Sequence, residues 1–441
     1  MKPSEKPKVL IPLDASKADL GENLQWRNFL KHRHKLPIHI DDKEPIRLNI
    51  LIPGLYYELT GGPLNVLRFT FLAAKAGINI RWINLDGTGM NFTQMVNHLK
   101  NYDGLEEFGK LITSNVWNLM SPNATSIPTN SNDIFMGTLY WTALVAGATQ
   151  KILNNPNIIY FIQDYECVFF PQSSDLIEVD ESYDLPHFAI FSSPMIQDYF
   201  RIKKLGVYKY NESLGDSRSF ASLPVIKPFE LDEDEIVIKN VAKKRQLIVF
   251  AREGTPRNAF ELTIAAISEA VRINILSPAK WTFVGVGGVN SQPICYLGNR
   301  RDACIRMVKN VPESEYKRIL SSGDIGLSLT LSPNPSFSVF DFAAAGMIVV
   351  TNSFETRNQE SFDKIGKNFI VVTPSLNGII KGISNAVSLL NTMKERPQKS
   401  HLNLPNTWND EKCYGNVLFN KVKQWFNDHQ AFPFENEIFE T

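Results

Sequence analysis

The chain has 441 residues, and this length predicts two domains, because a single hydrophobic core seldom grows beyond about 250–300 residues. Its 46 basic and 46 acidic residues give zero net charge, so the overall charge favours neither a nucleic acid nor an anionic membrane as a partner. The four cysteines include no Cys-x-x-Cys pair, and the seven histidines are not clustered. We therefore expect no metal, no cofactor and no disulfide framework.

The N-terminal segment is expected to be an arm outside the two domains. Residues 1–45 are polar apart from 25–35, where Trp26, Phe29 and Leu30 lie beside a basic cluster. This arm could dock on the first domain of its own chain or lie on a membrane surface. No signal peptide is recognised, and no apolar run approaches the roughly 20 residues of a membrane span. We expect a cytoplasmic protein, at most peripheral at the inner face of the cell membrane.

Strands and helices alternate from residue 47. Segment 48–52 predicts a strand, Gly61 and Gly62 lead into a helix over 63–76, and 80–85 predicts the next strand. Further strands of this half are predicted over 134–139, 158–162 and 188–191. Such alternation predicts a parallel, doubly wound sheet.

A charged segment then separates this half from a second series of strands and helices. The predicted strands of the second half are 247–250, 281–286, 325–330 and 347–351. A last helical pattern could cross back onto the first half. We therefore predict an α/β fold with an arm at 1–45, Rossmann-like domains at 46–230 and 246–412 joined by a linker at 231–245, and a returning C-terminal helix at 413–441.

Arg252 and Arg257 lie where the strand over 247–250 leads into a predicted helix. Thr255 and Pro256 suit the N-cap and the first helical position, and Asn258 belongs to the same helix start. The free N–H groups of a helix start favour an anion, and a guanidinium pairs well with a phosphate. This segment predicts a phosphate-bearing substrate, unless both arginines are ordinary solvated side chains.

The spacing of this pair resembles the Gly-Arg-x4-Lys segment of the retaining glycosyltransferases of the GT-B class, family 4. In that family the Arg and the Lys hold the diphosphate of the donor, whereas here Ala251 replaces the Gly and Arg257 replaces the Lys. The resemblance implies two Rossmann-like domains facing each other across a cleft, with Arg252 and Arg257 stabilising charge on the departing diphosphate.

The segment 331–346 resembles the Glu-x7-Glu motif of the same family, with its small-residue helix, Gly and strand. Asp341 falls on the second acidic position, which usually hydrogen-bonds the sugar of the nucleotide. The resemblance implies that the N–H groups of Ser336, Phe337 and Ser338 cap the diphosphate. Pro333 replaces the first Glu, and Ser-Pro-x-Pro-Ser resembles bacterial rhamnosyltransferases of the rhamnan type. The alternative is that the prolines only stiffen a loop.

Polar residues follow the strand predicted over 158–162. Gln163, Asp164 and Glu166 lie at its carboxyl end, where ligands bind in open α/β sheets. Asp164 and Glu166 share one face if the chain stays extended, and one of them could position or deprotonate an acceptor hydroxyl. Gln-Asp-Tyr-Glu again resembles the rhamnan-type enzymes. The alternative roles are a helix N-cap or a surface ion pair.

Two glycine pairs complete the candidate site. Gly61 and Gly62 resemble the glycine-rich loop that faces the donor phosphates in GT-B enzymes. Gly285 and Gly287 lie at a strand end that is beside the nucleotide in such enzymes, but they lack the full spacing of a dinucleotide fingerprint. We therefore do not expect NAD.

Together these patterns predict a glycosyltransferase, and more narrowly a rhamnosyltransferase that uses dTDP-β-L-rhamnose to elongate a bacterial surface glycan. No Asp-x-Asp ends a predicted strand, so metal-independent transfer is expected. The predicted partners are a nucleotide-sugar donor and a glycan acceptor; a lipid-linked acceptor and a homodimer are left open. The alternatives are a nucleotide-sugar 2-epimerase of the same fold and a non-catalytic subunit that binds sugar nucleotides.

Overall fold

Two seven-stranded sheets organise the chain in a computed structural model. The structure describes residues 32–53, 61–85, 92–100, 105, 107–116, 126–153, 155–226, 229, 233–288, 292–298, 300–309, 311, 313–397, 400–407 and 412–428.

The first sheet has the strand order β4-β3-β2-β6-β7-β8-β9, with every pair parallel. Its strands are β2 Leu48–Ile52, β3 Ile80–Asn84, β4 Thr113–Val116, β6 Ile134–Gly137, β7 Ile158–Ile162, β8 His187–Phe191 and β9 Ser219–Ala221. Its helices are α1 Gly61–Lys75, α2 Phe92–Leu99, α3 Phe108–Leu111, α4 Tyr140–Gln150, α5 Ser174–Tyr183, α6 Pro194–Lys203 and α7 Glu212–Ser217. Strands such as β2 and β7 are buried at every residue, as expected for a sheet covered by helices on both faces.

The second sheet has the order β12-β13-β11-β10-β14-β15-β16, and only the edge pair of β12 and β13 is antiparallel. Its strands are β10 Arg245–Phe250, β11 Trp281–Val286, β12 Ile294–Tyr296, β13 Cys304–Met307, β14 Ile325–Leu327, β15 Ile348–Asn352 and β16 Phe369–Val372. Its helices are α8 Glu233–Val241, α9 Phe260–Arg272, α10 Glu313–Ser321, α11 Phe337–Ala344, α12 Gln359–Asp363 and α13 Leu376–Thr392. The predicted pair of parallel, doubly wound sheets is confirmed.

Three local predictions differ from the structure. The predicted linker contains the helix α8, because residues 233–241 bury Lys239 against the second domain. The helix after Arg257 begins at Phe260, because Pro256–Asn258 form a 3-10 turn and Ala259 adopts a left-handed conformation with φ 47°. The helix predicted over 63–76 begins earlier, at Gly61, and Gly77 follows it with φ 85°, as its C-terminal position requires.

The C-terminal helix α14 Asn416–Asp428 packs on the first domain. The Tyr414 hydroxyl donates to Asn65 Oδ1 at 2.6 Å, and the ring of Trp425 lies 5.7 Å from that of Phe188. The C-terminal segment, which follows the second domain in sequence, therefore packs against the first domain.

The described end of the arm also lies on the first domain. The ring of His32 stacks on Trp141 at 5.1 Å, and its Nδ1 lies 2.8 Å from Glu178 Oε2. Beyond it, β1 Ile38–Ile40 pairs in parallel with β5 Ile127–Thr129. The indole of Trp141 is therefore covered by the ring of His32. Trp26, Phe29 and Leu30 lie outside the described residues.

Candidate functional site

The candidate site lies where loops of the two domains meet. In the second sheet, β10 lies between β11 and β14, so the connections leave β10 and β14 towards opposite sides. Ligands of open α/β sheets bind at the carboxyl ends of the strands at such a switch point. The loops that follow β10 and β14 contact each other there, since the Leu331 N–H donates to the Arg257 carbonyl at 2.7 Å.

Asp164 of the first domain faces these loops and is only 7% exposed. Its Oδ1 accepts hydrogen bonds from the Ser332 hydroxyl and, at 2.9 Å, from the Tyr165 N–H. Its Oδ2 lies 3.9 Å from Arg257 Nε. Burial raises the pKa of Asp164 to about 6, while Ser332 and Arg257 oppose the shift. An acid in this range can exchange a proton near neutral pH.

Glu166 lies deeper in the first domain and is 2% exposed. Its Oε2 accepts from the Tyr140 N–H at 3.1 Å, and its own N–H donates to the Tyr183 hydroxyl at 3.0 Å. Burial raises its pKa to about 8, and the charge of Asp164 adds to the shift. The chain turns into the 3-10 helix Glu166–Phe169 here, so the expected extended geometry is wrong. The two carboxyl groups nevertheless remain electrostatically coupled.

Arg257 lies in the cleft beside Phe169. Its guanidinium lies 4.2 Å from the ring centre of Phe169 in a cation–π contact. Burial lowers the pKa of Arg257, the charge of Asp164 opposes this, and Arg252 adds to it. The charge of Arg252 therefore acts on Arg257, and the binding of a diphosphate by the two arginines stays a prediction. Asn258 is buried, and its N–H donates to the Thr255 carbonyl at 2.9 Å.

The loop 331–336 is held by hydrogen bonds across the cleft and within itself. The Asn334 side-chain amide donates to the Gln163 carbonyl at 2.7 Å, and the Asn334 N–H donates to Ser332 Oγ at 3.0 Å. Asn334 Oδ1 accepts from the Ser336 N–H at 2.9 Å. The Ser336 N–H, which was expected to cap a diphosphate, is therefore bonded to Asn334 here, and its contact with a diphosphate stays a prediction.

The start of α11 has two further N–H groups that can donate hydrogen bonds. Within the described part of the chain, the N–H groups of Phe337 and Ser338 have no acceptor. The Ser338 hydroxyl lies 2.9 Å from those of Ser328 and Ser336. Further along this helix, Asp341 Oδ2 accepts from the Tyr316 hydroxyl at 3.3 Å. These positions are compatible with the predicted nucleotide-sugar contacts, which stay predictions.

Gln163 and Gly62 meet at the start of α1. A Cβ on Gly62 would lie 2.4 Å from Gln163 Oε1, so this position requires glycine unless the Gln163 side chain moves. Gln163 Nε2 donates to the Thr138 carbonyl at 2.9 Å, which directs Oε1 towards Gly62. Gly61 has φ 46° and an open space at its missing Cβ.

The glycines after Phe283 have packing roles. A Cβ on Gly285, which lies inside β11, would be 2.6 Å from Met307 Sδ and 2.9 Å from Ala251 Cβ. Gly287 has φ 86°, and its Cβ would be 2.6 Å from the Phe250 ring. Packing therefore explains both glycines, and contact with a nucleotide stays a prediction.

Several buried acceptor atoms near this edge lack a hydrogen-bond partner among the described residues: Gln163 Oε1, Glu166 Oε1 and both carboxylate oxygens of Glu253. Buried polar atoms are usually paired, so these atoms are candidates for binding a ligand or a water. Acceptor atoms suit a ligand rich in hydroxyl donors, whereas the arginines suit its anionic part.

Sequence reasoning missed the contacts of Phe169, Ser332, Asn334 and Glu253. Ser332 and Asn334 lie in the Ser-Pro-x-Pro-Ser segment, which had been considered for its prolines and not for contacts across the cleft. Among the described residues, no group of three or more His, Cys, Asp or Glu could hold a metal ion. Within the same residues, no helix combines the length and apolar character needed to cross a membrane.

Family models match both domains of the chain. The model for the N-terminal domain of WsaF matches residues 47–193, and the model for its C-terminal domain matches residues 245–384. The two matches occur in the expected order and together cover well over half of the chain.

Individual relatives are more distant. The O-antigen biosynthesis protein RfbC of Myxococcus xanthus is 25% identical over 233 residues, which is 52% of this chain but only 16% of that protein. WaaG, a glycosyltransferase involved in lipopolysaccharide biosynthesis, is 12% identical over 77% of this chain and 90% of its own, with a TM-score of 0.47. Sucrose-phosphate synthase from Thermosynechococcus elongatus is 10% identical over 87% of this chain and 100% of its own, with a TM-score of 0.49.

These structural likenesses are too distant to say anything about a substrate. The fold follows from the two doubly wound sheets, the cleft between them and the two family matches. The expected two-domain α/β architecture is confirmed, and the chain belongs to the WsaF family.

Proposed function

We propose that the chain transfers a sugar from a nucleotide-diphosphate donor to a glycan acceptor, and that the donor is dTDP-β-L-rhamnose. The observation that carries the transfer step is the meeting of Arg257 with Asp164 across the cleft, at 3.9 Å. A basic group for the diphosphate and an acidic group for the acceptor thus lie side by side, which a transfer reaction requires.

Arg252 and Arg257 would bind the diphosphate and stabilise the charge that develops as it departs. Asp164 would accept or orient the proton of the acceptor hydroxyl, since its pKa of about 6 leaves it largely ionised at neutral pH. Glu166, with a pKa of about 8, would stay protonated and donate a hydrogen bond. The unpaired acceptors Gln163 Oε1 and Glu253 Oε1 and Oε2 would receive sugar hydroxyls.

The choice of rhamnose rests on the loop 332–336 and on the family. Pro333 stands where a family 4 enzyme has a Glu that touches the hexose, so the pocket lacks that acceptor for a hydroxyl. A 6-deoxyhexose lacks the 6-hydroxyl, so it has one hydroxyl fewer that needs a hydrogen-bond partner in the pocket. The proposed acceptor is a growing bacterial surface glycan, because the relative RfbC is named as an O-antigen biosynthesis protein.

A thermal-shift panel tests the donor class. Nucleoside diphosphates and nucleotide sugars at 100 times their dissociation constant should stabilise the protein by about 2.7 kcal/mol. A response to dTDP and dTDP-rhamnose is expected, whereas stabilisation by UDP-glucose alone would overturn the rhamnose assignment. Slow hydrolysis of the donor without acceptor would exclude a non-catalytic subunit, and a C2-epimerised product would select the epimerase instead.

A further inference from the structure

Arg357 places a guanidinium wholly inside the second domain. Its side chain is 0% exposed and among the largest that are fully buried. Nη1 donates to the Asn352 carbonyl, and Nη2 donates to Thr351 Oγ1 at 2.5 Å and to the Pro335 carbonyl at 3.4 Å. The guanidinium therefore connects the carboxyl end of β15 to the loop 332–336.

The charge of Arg357 is not matched by a carboxylate in contact. Among the described residues no carboxylate forms an ion pair with it, and its Nε has no acceptor. Burial lowers its pKa to about 9, and the charge of Asp164, in the other domain, opposes this shift. An unpaired buried charge is costly and calls for an explanation.

The turn that carries Arg357 is fixed against the first domain. Phe354 and Arg357 exchange backbone hydrogen bonds at 2.8 and 2.9 Å. Between them, the Thr356 hydroxyl donates to the Met195 carbonyl at 3.0 Å, and Glu355 pairs with Lys203 at 3.0 Å. Both these partners belong to α6 of the first domain, so the turn that carries Arg357 contacts both domains.

We propose that Arg357 is a positioning residue of the donor site, which holds the loop 332–336 that contacts Asp164 through Ser332 and places a fixed positive charge beside the loop that leads into α11. The proposal rests on the proposed function. A fixed, desolvated charge stabilises an anion more strongly than a solvated one, because little water screens it.

Two variants separate charge from geometry. Arg357→Met removes the charge at similar length, whereas Arg357→Lys keeps the charge and loses the planar set of donors. Arg396→Met is the control, because the Arg396 side chain is 13% exposed and pairs with the buried Asp324 at 2.6 Å, at the opposite, amino-terminal edge of the sheet. Each purified full-length variant is first checked by circular dichroism and thermal unfolding.

The binding of dTDP, measured by calorimetry, is the first readout. Arg357→Met should weaken it by about 10-fold or more, an amount within the range for losing one preorganised electrostatic group, and Arg396→Met should leave it unchanged. Arg357→Lys should bind dTDP with an affinity within about threefold of wild type, because the charge is kept. Its turnover should fall by about 10-fold, because an ammonium group cannot hold the loop with the planar set of donors of a guanidinium.

The pH profile of kcat/KM is the second readout, which a merely structural residue would not move. The groups that act on Asp164 are Arg257, Arg357, Glu166, the Ser332 hydroxyl and the N–H groups of Tyr165 and Asn334. Removing the Arg357 charge should move the acidic limb to higher pH, since a nearby cation favours the carboxylate.

Some outcomes would overturn the proposal. One is a folded Arg357→Met variant with wild-type dTDP affinity and an unmoved acidic limb. If Arg357→Met does not fold, an Arg357→Lys variant with wild-type turnover would still contradict the positioning role. A wild-type protein that binds no nucleoside diphosphate would instead contradict the proposed function, which keeps the two failures distinguishable.

Discussion

The Arg257 guanidinium lies 3.9 Å from the Asp164 carboxylate, and each comes from a different domain. Ser332, from the same domain as Arg257, donates a hydrogen bond to the other oxygen of that carboxylate. Asp164, the proposed base for the acceptor hydroxyl, is therefore held by residues of the predicted donor-binding domain. The proposed binding of the diphosphate and the proposed proton transfer from the acceptor therefore both involve the contact between Arg257 and Asp164.

Replacing either arginine of the pair should slow transfer. Arg252→Ala and Arg257→Ala are each expected to lower kcat by about 100-fold or more, as is typical when one preorganised donor to a developing anion is lost. Steady-state kinetics with the full chain checks this. Arg272→Ala is the matched control, because Arg272 is exposed and pairs only with Glu269 on α9. Near-normal turnover in both site variants would mean that the pair does not hold the diphosphate.

The donor preference should follow the replacement of an acid by Pro333. Transfer is expected from dTDP-rhamnose but not from UDP-glucose or GDP-mannose, because a 6-hydroxyl buried without a partner costs about 1–3 kcal/mol. The measurement is product formation from each donor at equal concentration, followed by mass spectrometry. Equal rates with UDP-glucose would refute the rhamnose assignment and leave the fold unaffected.

Transfer should continue in excess EDTA. The charge that a divalent cation would neutralise is assigned here to Arg252, Arg257 and the free N–H groups at the start of α11. Initial rates with and without EDTA, and after adding Mn²⁺, check this. A complete loss of activity that Mn²⁺ restores would show that a cation performs the task given to the arginines.

The stability of the protein should fall between about pH 4.5 and 8 because of Glu166. Its pKa is raised from 4.5 to about 8 in the folded state, so the folded state binds the proton more tightly than the unfolded state. This contribution to stability is complete below pH 4.5 and is lost as the pH rises through 8, at up to about 1.4 kcal/mol per pKa unit.

Urea unfolding of wild type and Glu166→Gln at several pH values measures this contribution. The free energy of unfolding of the variant should no longer fall between pH 6 and 8. It should still fall with rising pH below pH 6, because the pKa of Asp164 is raised from 3.8 to about 6. Parallel curves for the two proteins above pH 6 would show that Glu166 is not the group responsible.

Local patterns were enough to predict the two sheets and the position of the main site segments. Strands such as Ile158–Ile162 consist of continuous apolar residues, and Gly77 marks the end of a helix by its sequence alone. The carboxyl ends of these strands then place Asp164 and Arg257 at the cleft.

Contacts between distant segments could not be predicted in this way. Nothing in the local sequence indicates that Ser332 bonds to Asp164, that Phe169 covers Arg257, or that Arg357 is buried below Pro335. The bond of the Ser336 N–H to Asn334 could not be foreseen either, because hydrogen bonds within an irregular loop follow no periodic pattern.

The most direct test of the central claim is a transfer assay with the purified chain, dTDP-rhamnose and a rhamnose-terminated acceptor. Release of dTDP is followed together with the mass of the acceptor. We predict an acceptor heavier by one deoxyhexose for each dTDP released, and a loss of about 100-fold in both signals for Arg257→Ala. A wild-type protein that neither releases dTDP nor extends the acceptor, although folded, would contradict the account.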